Sequence, residues 1–91
     1  MEIEPLQPVA VFLSIDEEEH VVCHLVDITK DQIRVICNEY LEKSTPVDFQ
    51  SQFFIGHAII NGVKFDKKIF TYTLDIKNIR YKPGLIINEK L

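Results

Sequence analysis

Two segments of the chain alternate between apolar and polar side chains with a period of two. In residues 70–76 (FTYTLDI) every second residue is apolar, with threonine or aspartate between. In residues 47–53 (VDFQSQF) valine, phenylalanine and serine share one face, while aspartate and glutamine occupy the other. Because successive side chains of a β-strand point to opposite faces, both segments are predicted to be strands with one buried and one solvent-exposed face. Such strands belong to antiparallel sheets, so the pattern predicts a small all-β domain.

Shorter apolar runs predict further strands, separated by polar turns at residues 16–19 and 30–31. Residues 38–45 follow no regular pattern, and Tyr40 and Leu41 are expected to plug one end of the core there. About seven short strands result, spaced as in small sandwiches or barrels. They are predicted at residues 9–15, 20–29, 32–37, from 46 onward, and at 63–65, 69–76 and 85–87.

Two glycines refine this prediction. Gly56 interrupts an apolar segment, which is typical of a bulge or of a bend at a barrel corner. Asn61-Gly62 predicts a hairpin turn, because both residues tolerate positive φ. The segment from 53 to 65 is therefore expected to fold back on itself at Asn61-Gly62.

Length and composition indicate one small domain over residues 1–91. At this size roughly 60–65% of the surface of the unfolded chain is buried on folding, so the core is thin. No apolar run approaches the ~18–20 residues that cross a bilayer. The N-terminus (MEIEPLQP) is acidic where a secretory signal is basic. We therefore expect a cytoplasmic location without membrane insertion.

The formal net charge is −4, from fourteen acidic and ten basic residues. Proteins that bind nucleic acids through phosphate contacts carry a basic face, whereas lysine and arginine are scattered here, so DNA and RNA are not expected as partners. The acidic block at residues 16–19 is predicted to be a solvated turn. Cys23 and Cys37 each follow apolar residues at strand spacing, and both are expected to be reduced, buried thiols.

Catalytic and metal-binding patterns are sparse. His20, Cys23 and His24 form one metal-like cluster, but alternation along a strand separates Cys23 from the two histidines, and zinc requires four ligands. No serine lies in a Gly-x-Ser-x-Gly turn, and no carboxylate or nucleophile is tied to His57 by spacing. The three glycines form no phosphate-binding loop. We expect no metal site, no cofactor and no enzymatic activity.

Apolar residues near Phe53 and the C-terminus form a candidate contact surface. Alternation buries one ring of Phe53-Phe54 and turns the other outward, unless a bend at Gly56 folds both into the core. The run at residues 85–87 is continuous, so part of it must face outward, pair with a strand or dock on another chain. Exposed large apolar residues mark contact sites. The predicted protein-binding residues are Phe53, Phe54, Tyr81, Leu85 and Ile86.

Residues 23–35 (CHLVDITKDQIRV), followed by a strand and by Phe53-x-x-Gly56-x-Ala58, resemble the PilZ domain. The family signature is Asp or Asn, any residue, Ser, two residues, then Gly, between two barrel strands. Asp27 matches it, Thr29 stands where Ser is expected, and Gln32 replaces the Gly. The resemblance covers most of the chain and implies an all-β fold, a small antiparallel β-barrel of about six strands.

The departures from the family bear on function. PilZ domains that bind cyclic di-GMP carry an Arg-x-x-x-Arg loop before the first strand, whose guanidinium groups hold phosphates bidentately and stack on guanine. This chain has only Arg34 and Arg80, and its N-terminus carries acidic residues instead. Asp27 and Thr29 are then interpreted as side chains that cap the turn by hydrogen bonds to its backbone.

The resemblance therefore implies a barrel that lacks the arginine loop needed to bind cyclic di-GMP. Such members act as protein-binding adaptors in the control of type IV pili, motility or virulence. The alternative is a cyclic di-GMP receptor with a non-standard site formed by Asp27, Thr29, Lys30 and Arg34. A third class, an oligosaccharide-binding barrel, would require an exposed aromatic platform.

Overall fold

A computed structural model describes residues 8–82. Within this range the chain forms a closed antiparallel barrel in which the strands neighbour one another in the order β1-β2-β3-β6-β5-β4. This confirms the predicted small antiparallel β-barrel of about six strands. The strands are β1 (Ala10–Ser14), β2 (His20–Ile28), β3 (Gln32–Cys37), β4 (Pro46–Gln50), β5 (Phe54–Asp66) and β6 (Ile69–Tyr81).

The core follows from the alternation seen in the sequence. Val47 and Phe49 of β4 are buried between exposed neighbours, and Tyr72 and Leu74 of β6 are fully buried. Cys23 and Cys37 also lie in the core as free thiols, as predicted. Burial and the adjacent thiol of Cys37 raise the pKa of Cys23 well above its usual value, so Cys23 stays protonated and unreactive at neutral pH.

The connection from β3 to β4 runs across one end of the barrel, because these two strands are not neighbours. Leu41 enters the core there, as predicted. Its N–H donates to the hydroxyl of Tyr72 at 2.6 Å, and this hydroxyl donates to the carbonyl of Glu39 at 2.9 Å. Tyr40, by contrast, is 62% exposed, so its expected role as a plug is wrong.

The hairpin predicted at Asn61-Gly62 is wrong, because β5 continues through both residues to Asp66. The register between β5 and β6 shifts between Ile60 and Gly62, so Asn61 is the extra residue of a bulge. The chain reverses instead at Lys67 and Lys68, which both have positive φ (55° and 69°). Neither Asn61 nor Gly62 has positive φ, so the conformational freedom that predicted a hairpin there is not used.

The strand predicted from Pro46 ends at Gln50, and a turn follows. The hydroxyl of Ser51 accepts hydrogen bonds from the N–H groups of Phe53 and Phe54 at 2.9 and 3.2 Å, which orients the start of β5. Ser51 is itself buried. Because Ser51 points inward, it continues the alternation of β4. The sequence pattern therefore predicted a longer strand than the structure has.

Candidate functional site

A row of polar side chains crosses the outer surface of the barrel on five neighbouring strands. Residues directly opposite one another in an antiparallel ladder share a face. The register places Ser14 opposite both His20 and Asp48, and places His57 opposite both Asp48 and Asn78. We call these residues the polar row: His20, Ser14, Asp48, His57 and Asn78.

A second row, one step along the same strands, is largely apolar. Phe12 lies opposite Val22 on one side and Gln50 on the other, and Ile55 lies between Gln50 and Arg80. Phe12 and Val22 are 47% and 52% exposed, although both belong to strands whose other faces are buried. We call these residues the apolar row: Val22, Phe12, Gln50, Ile55 and Arg80.

The two rows border a groove of about 550 Å³ on β4, β5 and β6. Its wall includes Gly56, where β5 approaches β6 closely beside the ring of Phe49. The guanidinium of Arg80 lines the groove, is exposed, and makes no ion pair with another residue of 8–82. This outer groove (Ser14, Asp48, Gln50, Ile55, His57, Asn78 and Arg80, with Phe49, Gly56 and Ile79) can therefore take an apolar group together with an anionic one.

The polar row holds two hydrogen-bonded pairs rather than a catalytic relay. Ser14 Oγ and His20 Nδ1 are 2.9 Å apart, and His57 Nδ1 contacts Asp48 Oδ1. Within residues 8–82 no hydroxyl, imidazole and carboxylate are joined in one chain of hydrogen bonds, as nucleophilic catalysis requires. The side chains of His57 and Asp48 are 59% and 64% exposed, so water reaches the pair freely.

The metal-like cluster of the sequence is divided as alternation predicts. His20 and His24 are exposed on the outside of β2, and Cys23 is buried between them. Among the described residues no three His, Cys, Asp or Glu side chains are grouped in a way that could hold a metal ion.

The turn between β2 and β3 carries the residues of the alternative cyclic di-GMP site. The hydroxyl of Thr29 accepts the N–H groups of Asp31 and Gln32 at 3.3 and 3.1 Å, so it caps the turn. Lys30 is exposed at the tip. The structure thus brings Asp27, Thr29, Lys30 and Arg34 together at one end of the barrel.

Asp27 and Arg34 form an ion pair within this group. Asp27 is 4% exposed, and Arg34 reaches it from β3 with Nε 2.9 Å from Oδ1 and with Nη2 on Oδ2. Because a buried carboxylate without a partner is costly, this bidentate pair stabilises the barrel end. Asp27 thus binds the side chain of Arg34, and the hydroxyl of Thr29 caps the turn.

The predicted contact residues are divided between core and surface. Phe54 is 3% exposed and packs edge-to-face on Phe49 and Tyr81, so in this state its ring offers no surface to a partner. Phe53 is half-buried against the core, and Tyr81 is 44% exposed at the barrel end. Leu85 and Ile86 lie outside the described residues.

Phe12 and Val22 were missed by the sequence reasoning. The sequence did contain a signal, because each residue is apolar while its neighbours on the same strand face are small or polar. These neighbours are Ala10 and Ser14 for Phe12, and His20 and His24 for Val22. An apolar residue on the solvent-exposed face of an alternating strand indicates a surface that can contact another molecule.

Comparison with known proteins yields a structural likeness. The structure of the Bacillus subtilis inhibitor of motility (MotI/DgrA) superposes with a TM-score of 0.67 at 12% sequence identity. The fold is that of a PilZ-like barrel. The match covers 87% of this chain but only 42% of MotI/DgrA, so the chain spans less than half of that protein's length.

No protein-family model matches the sequence. No curated protein matches it either. Among residues 8–82 there is no helix with the length and apolarity needed to cross a bilayer.

Proposed function

We propose that this chain is a non-enzymatic regulatory domain that acts through protein–protein contacts in the control of motility and related surface functions, without cyclic di-GMP as its ligand. The likeness to an inhibitor of motility supports the regulatory class. Two adjacent core thiols that remain unpaired support a reducing, cytoplasmic location.

The observation that carries the proposal is the ion pair of Arg34 with Asp27. Arg34 is the one arginine near the turn that matches the PilZ signature, and its guanidinium is held bidentately by a buried carboxylate. Releasing it to a phosphate would break both contacts with the buried carboxylate of Asp27, which is unfavourable. Lys30 is then the remaining cation of the alternative site, and a lone ammonium is a poor match for a doubly charged dinucleotide.

The contact surface that we propose is the outer groove with the neighbouring pair Phe12 and Val22. The pair supplies exposed apolar surface, and Arg80 supplies a positive charge that makes no ion pair within residues 8–82. A partner segment that presents an apolar side chain next to a carboxylate would fit this combination. Tyr81, with Leu85 and Ile86 outside the described residues, is the predicted extension of this surface.

The test is affinity capture of the native partner with matched variants. Phe12→Lys places a charge in the proposed surface, beside the outer groove, and we expect recovery of the partner to fall at least tenfold. Ile69→Lys makes the same change at another exposed apolar residue, on the tip of the β5–β6 hairpin, and should leave recovery unchanged. Equal recovery with the two variants would exclude the surface formed by Phe12, Val22 and the outer groove as the contact site.

Titration calorimetry with cyclic di-GMP tests the other half of the proposal. We expect no heat of binding at micromolar concentrations of protein and dinucleotide. Micromolar or tighter binding that is lost in Arg34→Ala would overturn the adaptor function and establish the receptor function. Circular dichroism of Arg34→Ala must accompany this measurement, because the variant leaves Asp27 without a guanidinium.

A further inference from the structure

The far half of the β5–β6 hairpin extends beyond the barrel wall. β4 accompanies β5 only as far as Ile59, which lies opposite Pro46, and the preceding connection adds backbone hydrogen bonds to Ile60. Residues 62–66 pair with β6 on one side. On their other side no backbone hydrogen bond from residues 8–82 reaches them. We call residues 62–66 the β5 edge, an open strand edge on an otherwise closed barrel.

The backbone groups of the β5 edge alternate between its two sides. A two-residue turn closes on a hydrogen-bonded pair, which here is Asp66 with Ile69. The next pair, Phe65 with Phe70, is then a non-hydrogen-bonded pair of the ladder. The N–H and C=O of Phe65 consequently point away from β6, into the open side. Open strand edges of this kind template pairing with another chain.

The side chains of the β5 edge complement a second copy of the same edge. When two such edges pair antiparallel about Phe65, each Phe65 lies opposite its counterpart. Lys64 of each copy then lies opposite Asp66 of the other copy, which creates two opposite-charge pairs on one face. Phe65 is 60% exposed, so its ring is available for contact on the other face.

We propose that the β5 edge is a homodimer interface in which two copies pair antiparallel about Phe65. The two Phe65 residues exchange both of their backbone hydrogen bonds, and the two Lys64–Asp66 pairs fix the register. A register centred on Lys64 would place like charges directly opposite each other, which is unfavourable. This interface is separate from the outer groove, so a dimer leaves both grooves free for the regulatory partner.

The proposed register can be tested with charge-reversal variants, whose dimer affinity is measured by sedimentation equilibrium. The wild type should form a concentration-dependent dimer. K64E and D66K each turn two attractive pairs into two repulsive ones, so the dissociation constant should rise about tenfold in each variant alone. An equimolar mixture of the two variants should regain the wild-type affinity within about threefold, because the introduced glutamate faces the introduced lysine.

Matched controls separate this pattern from a general effect of net charge. Lys30→Glu and Asp31→Lys make the same charge changes at exposed positions of the β2–β3 turn. Neither variant should change the dissociation constant, and mixing them should have no effect. A wild type that stays monomeric at millimolar concentration would overturn the proposal, and so would a mixture of K64E and D66K that associates no better than either alone.

Phe65→Pro tests the backbone part of the interface. Proline is tolerated on a strand edge where the N–H faces solvent, so the β5–β6 ladder should survive the change. The dimer loses two hydrogen bonds and should disappear, while the far-UV circular dichroism of the monomer stays unchanged. A dimer that persists in Phe65→Pro with wild-type affinity would show that the β5 edge is not the interface.

Discussion

Gly56 occupies a position where any side chain would collide with the neighbouring strand. A Cβ built there would lie 2.1 Å from the carbonyl oxygen of Asn78 and 2.7 Å from the ring of Phe49. Gly62, on the same strand, has 4.0 Å of clearance to Thr73. The glycine at position 56 therefore permits the close approach of β5 and β6 beside the outer groove.

We expect Gly56→Ala to lower the free energy of unfolding by about 3 kcal/mol or more, because β6 or Phe49 must move to admit the methyl group. Gly62→Ala is the matched control and should change the free energy of unfolding by less than about 1 kcal/mol. Urea denaturation of the two variants checks this expectation. Equal losses in both variants would contradict the assignment of a close approach at Gly56.

The buried thiol of Cys23 links stability to alkaline pH. Burial, followed by the neighbouring Cys37, raises the pKa of Cys23 in the folded protein far above the value of 9.0 for a free thiol. Below about pH 9 the thiol is protonated in both states, and its contribution to stability is fully present. Above that pH the unfolded chain releases the proton while the folded protein keeps it, so the contribution is progressively lost.

Between pH 9 and pH 10 this loss is about 1 kcal/mol, since a proton bound only by the folded state changes stability by about 1.4 kcal/mol per pH unit. Cys23→Ala should start from a lower stability at pH 8 because it leaves a small cavity. Its stability should then fall less steeply from pH 9 to pH 10 than that of the wild type. Parallel urea denaturation curves at both pH values measure the two slopes, and identical slopes would contradict the assignment.

At the scale of the element, the β5–β6 hairpin has an unfavourable turn. Lys67 and Lys68 both adopt positive φ, a region that lysine occupies at a cost of roughly 1 kcal/mol or more per residue. Their two positive charges are also adjacent. The turn conformation matches the type that Asn-Gly favours, although the chain carries Asn-Gly at the bulge six residues earlier.

Replacing Lys67 and Lys68 by Asn and Gly should therefore raise the free energy of unfolding by about 1–2 kcal/mol, which corresponds to a rise in Tm of at least about 4 °C. Thermal denaturation measures the change. The control is the double change of Lys67 and Lys68 to alanine, which removes the charges but retains the backbone strain. A similar rise in Tm in this control would assign the effect to charge instead of conformation.

For the whole molecule, the sequence predicted the barrel but not the extent of β5, one of its two 13-residue strands. Alternation in 70–76 and around Val47 located the buried faces of β4 and β6, because burial of one face fixes the period of two. The extent of β5 was not predictable, since the bulge at Asn61 and the turn at Lys67-Lys68 depend on pairing with β6 and not on local preference.

The candidate site was predictable only in part. The residues around Asp27 and Thr29 were located from a local motif, and the structure brings them together at one turn. The outer groove was not found, because its two rows combine residues from five strands whose register is a property of the closed barrel. Phe54 shows the same limit, since only tertiary packing decides which ring of Phe53-Phe54 enters the core.

The strand order divides the barrel into two three-stranded meanders, β1-β2-β3 and β6-β5-β4, each built from sequential hairpins. The meanders meet along two seams, β3 with β6 and β1 with β4, whose partners lie more than thirty residues apart in sequence. Closing each seam restricts a long stretch of chain, and this loss of conformational entropy occurs before the seam contacts form. The folding rate of this barrel is therefore governed by the seams and not by the hairpins.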